Sequence, residues 1–234
     1  MRIAVSISLL SIVVLMSACI KDTSGSQPML VQSVTIDSNA CVINFTYDGQ
    51  NRLTSIVQCD TSETFTYSHD SVIDVKMMIN EQVLIYKNVY TLNAAGLATG
   101  CVRLSAGGEI SSNVFVYDAN GFLQSSTDTT HPNTVNTYII QNSDIVSEQS
   151  SSSVTGISFS LTTSYYANTI NRISNANFGL TFLGASAVNL KKADTYSGLN
   201  TTNYTYQLNN NNGIAQQVST VNGEVTDKRS FSYY

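Results

Sequence analysis

Few residues in this 234-residue sequence have side chains suited to catalysis or to metal binding. The two histidines, His69 and His131, stand far apart and outside any metal-ligand or catalytic motif. The sequence has no Gly-x-Ser-x-Gly, His-Glu-x-x-His or glycine-rich phosphate-binding motif. Most aspartates fall at predicted turns, where Asp satisfies local backbone groups. We therefore predict a protein that is not an enzyme and that uses no cofactor and no metal.

The first of the four cysteines, Cys19, follows an export signal. Met1-Arg2 precedes an apolar run of the length of a signal-peptide core, shorter than the roughly twenty residues of a membrane-spanning helix. The residues before Cys19 resemble a lipobox, at which cleavage precedes an acylated cysteine. We predict a signal peptide over 1–18, acyl chains such as palmitate on Cys19 that hold the protein to a membrane, and a polar tether over 19–32. The alternative is an ordinary secretory leader followed by a chance cysteine.

Two further cysteines, Cys41 and Cys59, are equidistant from Gln50, the middle of a predicted hairpin turn. With a three-residue turn they would face each other across two strands, in a compartment where disulfides persist. Such a bond would contribute about 3 kcal/mol. The alternative is two buried thiols. Cys101 is left over and is predicted to pack as a small apolar residue.

Composition and charge narrow the class of protein. The sequence is 42% hydrophobic and only 12% charged, against about 25% charged in average globular proteins. Ser, Thr and Asn fill the polar positions, which favours strands and turns over helices. The net charge is −5, and the basic residues cluster only as the pairs 191–192 and 228–229. Nucleic acid is therefore excluded as a partner.

A repeated unit organises the rest of the chain. Alternating aromatic residues are followed by a turn of Asp, Asn and Gly and by a return strand, the pattern of a β-hairpin. Units begin at Phe45, Phe65, Tyr90, Phe115, Tyr138, Tyr204 and Phe231, with a degenerate copy near Tyr166. Consecutive hairpins predict one all-β domain over 33–234, an antiparallel meander of roughly 14–16 strands curled into a barrel or half-barrel.

The repeat is interrupted once, over 177–199, by an apolar segment without strand alternation. We expect a loop with one helical turn, folded over an opening of the curled sheet. It would be either a structural plug or a lid that gates a ligand.

The segments 47–53 and 117–123 are similar to YD repeats. Together with the lipobox, the chain resembles a Bacteroidota lipoprotein family of unknown function with a porin-like fold. The resemblance implies an outer-membrane location but no catalytic residues, and it leaves periplasmic and surface-facing placements open, although Lys21-Asp22 resembles an export tag of surface lipoproteins. Two triplets resemble the O-glycosylation acceptor motif of these bacteria, with Ser71 and Thr129 as acceptors.

The predicted function is that of a lipid-anchored binding or scaffolding module with an unidentified protein, glycan or lipid partner. The alternative is a carrier of an apolar ligand inside the curled sheet, which requires a hollow interior. Glycan binding through tyrosine rings and a glycosidase with paired carboxylates are lesser alternatives. An integral porin is disfavoured, because the strands look nearer to about six residues than to the nine to eleven that span a membrane.

Overall fold

The computed structural model describes residues 29–37, 41–130, 134–152, 155–156, 158–197 and 200–234. These residues form sixteen strands, each antiparallel to its neighbours, and the last strand pairs with the first to close a barrel. One short 3-10 turn, Thr181–Leu183, is the only helical element described, and none of the described helical structure could cross a membrane. The strands are β1 Val31–Ile36, β2 Cys41–Tyr47, β3 Leu53–Gln58, β4 Thr61–Tyr67, β5 Ser71–Met78, β6 Leu84–Leu92, β7 Ala98–Ser105, β8 Gly108–Tyr117, β9 Leu123–Asp128, β10 Thr134–Gln141, β11 Asp144–Ser152, β12 Ser158–Ile170, β13 Asn189–Tyr196, β14 Thr201–Leu208, β15 Ile214–Val221 and β16 Glu224–Tyr233.

The all-β meander is confirmed, and the eight repeat units coincide with the eight even-numbered strands. The leading aromatic of each unit lies in one of them, from Phe45 in β2 to Phe231 in β16. Successive strands run in opposite directions, so every turn from an even to an odd strand lies at the same end of the barrel. We call this end the plugged end, because residues 171–188 fill it. Leu30 and Tyr234 meet there, with the Tyr234 N–H donating to the Leu30 carbonyl at 3.1 Å.

Four turns at the plugged end share one hydrogen-bond pattern. The first residue is Asp or Asn, and its side-chain oxygen accepts from the backbone N–H groups two and four residues later. The residue three positions later has a positive φ, which Gly and Asn tolerate best. The four first residues are Asp48, Asn93, Asp118 and Asn209, and the positive-φ residues are Asn51, Gly96, Gly121 and Asn212.

Each of these turns leads into a strand whose first residue is turned into the barrel and is almost completely inaccessible to solvent. These residues are Leu53, Ala98, Leu123 and Ile214. The two strands that each of these four turns joins show a register shift next to the turn. The bulge therefore sets which face the return strand turns inward, because a shift of one residue exchanges the two faces.

Three boundaries differ from the sequence expectation. The non-strand segment covers 171–188, and β13 lies inside the range 177–199 that was predicted to lack strands. The inward positions of β13 include the charged residues Lys191 and Asp194, so this strand lacks the alternation of apolar and polar residues from which strands are predicted. The barrel begins at Val31, two residues before the expected domain boundary. Its strands run from 6 to 13 residues, so the estimate of about six residues was too short for most of them.

Candidate functional site

The segment 171–188, which we call the plug, is fixed to the barrel by backbone hydrogen bonds on several sides. The Val31 N–H donates to the Asn177 carbonyl at 2.9 Å, and the Leu53 N–H donates to the Gly179 carbonyl at 3.2 Å. Across the barrel, the Ala185 N–H donates to the Gly121 carbonyl at 2.7 Å. The plug therefore bonds to the first strand, β1, and to two of the four repeated turns.

Plug side chains form the centre of both apolar clusters of the barrel. Phe178 is buried in the cluster built on β1, β2 and β15, and its ring centre lies 5.2 Å from that of Phe45. Phe182 lies 5.1 Å from the ring of Tyr90 in the cluster built on β5, β6 and β7. An aromatic pair at this separation contributes about 0.5–1.5 kcal/mol beyond the area that it buries. Inward rings from several of the repeat units thus pack in clusters that the plug completes.

Four buried polar residues of the plug are linked to one another and to Met29 by hydrogen bonds: Ser174, Asn175, Asn177 and Ser186. Asn177 Oδ1 accepts from the backbone N–H and the hydroxyl of Ser174, and its Nδ2 donates to the Met29 carbonyl at 2.8 Å. Asn175 donates from Nδ2 to the Gly184 carbonyl and from its N–H to the Ser186 hydroxyl. Satisfied buried polar networks specify one conformation. These contacts favour a structural plug over a gating lid.

Deeper in the barrel, β4 to β7 turn charged residues inward and form what we call the carboxylate cluster. Asp74 and Glu63 are 3% and 6% exposed. Asn88 Nδ2 donates to Asp74 Oδ2 at 2.8 Å, and Arg103 Nε donates to Asn88 Oδ1 at the same distance. The Tyr86 hydroxyl donates to Glu63 Oε1 at 3.1 Å. Burial, and then the negative charge of Glu63, raise the pKa of Asp74 well above its ordinary range.

On the strands β12 to β14 a second buried acid, Asp194, is surrounded by donors. It accepts from the Thr163 hydroxyl at 2.6 Å, from the Tyr204 hydroxyl at 2.9 Å and from Lys191 Nζ at 3.1 Å. A cavity of about 40 Å³ lies beside this group, lined in part by Glu148 and Leu161. That volume has room for a few water molecules. Burial raises the pKa of Glu148 as well.

The acids of both groups are held by buried side-chain contacts: Lys191 and Lys76 pair with Asp194 and Glu63, and Asp74 accepts from the Asn88 amide. A glycosidase pair needs a cleft that admits a sugar between its carboxyl groups, whereas Glu63 and Asp74 are buried inside the barrel. An open groove of about 430 Å³ lies against β10 to β12, and none of the buried acids lines it. Among the residues the structure describes, no group of three or more His, Cys, Asp or Glu is placed to hold a metal ion.

The structure joins Cys41, at the start of β2, to Cys59, in the turn after β3, as a disulfide with a Cα–Cα distance of 5.8 Å. That distance is within the range of about 4.4–6.8 Å for such bonds. Cys101 is a buried free thiol, in agreement with the expectation, and burial raises its pKa to about 11. It therefore has little thiolate character at neutral pH.

The remaining predicted sites lie at the surface or outside the described residues. His69 is exposed in the turn before β5. Ser71 is half-buried, with its hydroxyl 2.6 Å from that of Ser68, and Thr129 is exposed and donates to the Ser112 carbonyl at 3.1 Å. Cys19 and His131, like the signal peptide and most of the tether, lie outside the described residues. The structure does not bring the two candidate acceptor residues together, since Ser71 lies at the plugged end and Thr129 at the opposite end.

The carboxylate cluster is absent from the sequence prediction, which placed the aspartates mainly at turns. A signal for it exists in β5, where Val72, Asp74 and Lys76 occupy alternate positions. Val72 is completely buried, so the two charged residues must face the same interior. A charged residue at an inward strand position predicts a buried partner on the neighbouring strand.

Comparison with solved structures places this fold among porin-like barrels. A porin-like protein from Bacteroides uniformis superposes with a TM-score of 0.67 at 17% identity, over 89% of this chain and 100% of that one. A porin-like protein from Bacteroides vulgatus gives a TM-score of 0.54 at 14% identity, over 88% of this chain and 99% of that one. No protein-family model and no curated protein sequence matches the chain. The likeness is one of fold.

Proposed function

We propose that this chain is a lipid-anchored, non-enzymatic binding or scaffolding module of the bacterial outer membrane. The observation that carries the proposal is the plug: residues 171–188 occupy one end of the closed barrel with buried side chains and backbone hydrogen bonds to the barrel. Behind the plug, the inward acids of β4 to β7 and β12 to β14 are bonded to neighbouring side chains. The interior is thus a core, and recognition is left to the outer wall and the turns.

The lipobox and the porin-like neighbours from two Bacteroides species support the outer-membrane assignment. Acyl chains on Cys19 would give stable attachment, since a pair of chains is enough to anchor a protein. The described chain begins at Met29, whose carbonyl accepts from Asn177 of the plug. A tether that ends there would attach the plugged end to the membrane and direct the opposite end away from it.

The outer wall supports a module over an integral porin. A membrane barrel turns an unbroken apolar band toward lipid. In β14 the exposed outward residues are Asn203, Thr205 and Gln207, which would leave amides and hydroxyls in hydrocarbon. Such groups are costly to bury without partners.

The carrier alternative meets a different obstacle. A bound apolar ligand would have to replace plug side chains such as Phe178 and Phe182, which are 7% and 5% exposed. The interior cavity next to Asp194 is lined by Glu148, Lys191 and Tyr165 as well as Leu161. Its size and polarity suit water better than an acyl chain.

The anchor is tested by expressing the full chain and its C19A variant in a Gram-negative host and separating membrane from soluble envelope fractions. We expect wild type in the outer-membrane fraction, with a mature N-terminal peptide that begins at Cys19 and carries acyl mass, and C19A in the soluble fraction. Wild type without acyl mass in the soluble fraction would contradict the anchor. In planar bilayers we expect the purified protein to give no conductance steps, and steps would identify a pore instead.

A further inference from the structure

Asp74 has one carboxylate oxygen that receives no hydrogen bond although it is buried. The residue is 3% exposed, and its Oδ2 accepts from the Asn88 amide at 2.8 Å. Asp74 Oδ1 is inaccessible to solvent and has no hydrogen-bond partner among the residues that the structure describes. The Tyr67 hydroxyl is likewise buried without a partner, so it does not supply the missing donor. A buried carboxylate oxygen without a donor is among the costliest groups in a folded protein.

The other acid of the carboxylate cluster, Glu63, lies diagonally across from Asp74 on the neighbouring strand. The register pairs Glu63 with Lys76 and Phe65 with Asp74, so the two acids share one inward face of β4 and β5. Their carboxyl groups are within hydrogen-bonding reach of each other. Glu63 is 6% exposed, and two buried carboxylates this close repel each other strongly if both are ionised.

We propose that Glu63 and Asp74 share one proton in a carboxyl–carboxylate hydrogen bond, and that release of this proton loosens the packing of the plug. The protonated Asp74 Oδ1 donates to the Glu63 carboxylate, which gives a partner to the oxygen that otherwise has none. Glu63 keeps its contacts with the Tyr86 hydroxyl at 3.1 Å and with Lys76 Nζ at 4.0 Å. The pair then carries a single negative charge, with the Lys76 ammonium beside it.

The charges around the pair favour a proton over a metal ion. Lys76 lies against Glu63, and Arg103 Nε donates to Asn88 Oδ1 at 2.8 Å. A divalent cation between the two acids would be repelled by both basic side chains. The titratable and basic groups that face the pair from β4 to β7 are Tyr67, Lys76, Tyr86, Tyr90, Cys101 and Arg103.

The pair lies directly beside the layer of side chains on which the plug packs. Asp74 follows Val72 by two residues in β5, and Asn88 precedes Tyr90 by two in β6, so each strand turns both of its residues inward. Val72 and Tyr90 belong to the apolar cluster that the plug completes. The plug residues of that cluster are the apolar Phe182 and Leu183. When the proton leaves to water, two carboxylates face each other across β4 and β5, and their repulsion disturbs the neighbouring apolar layer.

The shared proton is measured by infrared spectroscopy of the purified full chain, because a protonated carboxylic acid has a carbonyl stretch that a carboxylate lacks. We expect wild type to show this band at neutral pH and to lose the area of one carboxylic acid as pH rises. D74N and E63Q should each lack that same area, because each puts an amide donor beside the remaining carboxylate. The matched control is D194N, which removes a similarly buried acid that already accepts from three donors and should keep the band.

Two results would overturn the shared proton. One is a wild-type spectrum without the band at neutral pH, which does not depend on the folding of any variant. The other is a band that D74N removes and E63Q leaves in place, because Asp74 would then be protonated by burial alone. Circular dichroism shows whether the variants are folded.

The effect on the plug is measured by hydrogen–deuterium exchange of wild type and D74N, compared at the same pH so that the pH dependence of the exchange chemistry cancels. A proton bound by the closed form but not by the open form makes opening about tenfold more favourable per pH unit, between the pKa of the open form and that of the closed form. The ratio of the exchange rate of segment 178–183 in wild type to that in D74N should therefore rise by up to about tenfold per pH unit above about pH 5. The internal control is β10, which contributes to neither apolar cluster and whose ratio should change less. A constant ratio, or an equal change in β10, overturns the role of the pair in holding the plug.

Discussion

Replacing Gly179 by alanine tests whether the plug is a fixed part of the core. Gly179 has φ +66, and a Cβ built on it would lie 2.6 Å from Leu53 N and 2.7 Å from Asn51 O. Both neighbours are backbone atoms of a repeated turn, so no rotamer change can relieve the contact. The Leu53 N–H that would be displaced is the donor to the Gly179 carbonyl.

Three contributions set the size of the effect. A left-handed backbone costs a non-glycine residue about 1–2 kcal/mol. Overpacking against backbone costs about 1–3 kcal/mol, and the weakened hydrogen bond about 1 kcal/mol. We expect G179A to lose about 4 kcal/mol of unfolding free energy, out of the roughly 5–15 kcal/mol typical of a folded protein. For a chain of this length that lowers Tm by about 10 °C.

The control is G223A in the turn between β15 and β16. Gly223 has φ +85, but nothing lies within 4 Å of its added Cβ, so only the backbone cost of about 1–2 kcal/mol applies. The measurement is urea and thermal unfolding followed by circular dichroism, on both variants and wild type. If G179A and G223A lose the same free energy, the plug does not press on the turn and its role in the core is refuted.

Three further perturbations follow from the same contacts. D118A removes the acceptor of two backbone N–H groups and should lower the unfolding free energy, measured in urea, by about 1–2 kcal/mol. The control D70A changes an exposed turn outside the four-turn pattern and should cost clearly less. Equal losses would contradict the role of the shared turn. The folded state raises the pKa of Asp74, so its contribution to stability is present below the unfolded pKa, near pH 4, and is lost as pH rises through the folded pKa. The unfolding free energy of wild type should therefore fall between about pH 5 and pH 9, and that of D74N should stay flatter. The control D70N should follow wild type. The double variant C41S/C59S lacks the disulfide between residues 18 positions apart and should lose about 3 kcal/mol of unfolding free energy. A reductant should lower the stability of wild type and leave that of the variant unchanged.

Much of the fold could be predicted because its information is local. A leading inward aromatic, a turn and a return strand recur from unit to unit, so the eight even-numbered strands could be located from residues such as Phe45 and Tyr204. Closure could not be predicted, since it depends on the pairing of Val34 with Phe231, which has no local signal. The carboxylate cluster was missed because Asp74 and Arg103 interrupt the hydrophobic alternation from which the inward face is identified.

The pairing of β1 with β16 has a consequence for the order of folding. The strand that closes the barrel is the last in sequence, and its partner is the first, so β1 lacks one neighbour until β16 is in place. Contacts between such distant segments form slowly, because a long loop must be closed first. Closure also helps to hold the plug in place, because Val31 donates to Asn177 of the plug and pairs with Tyr233 of β16. A chain shortened before Phe231 would leave an unpaired strand edge, the kind of surface on which aggregation starts.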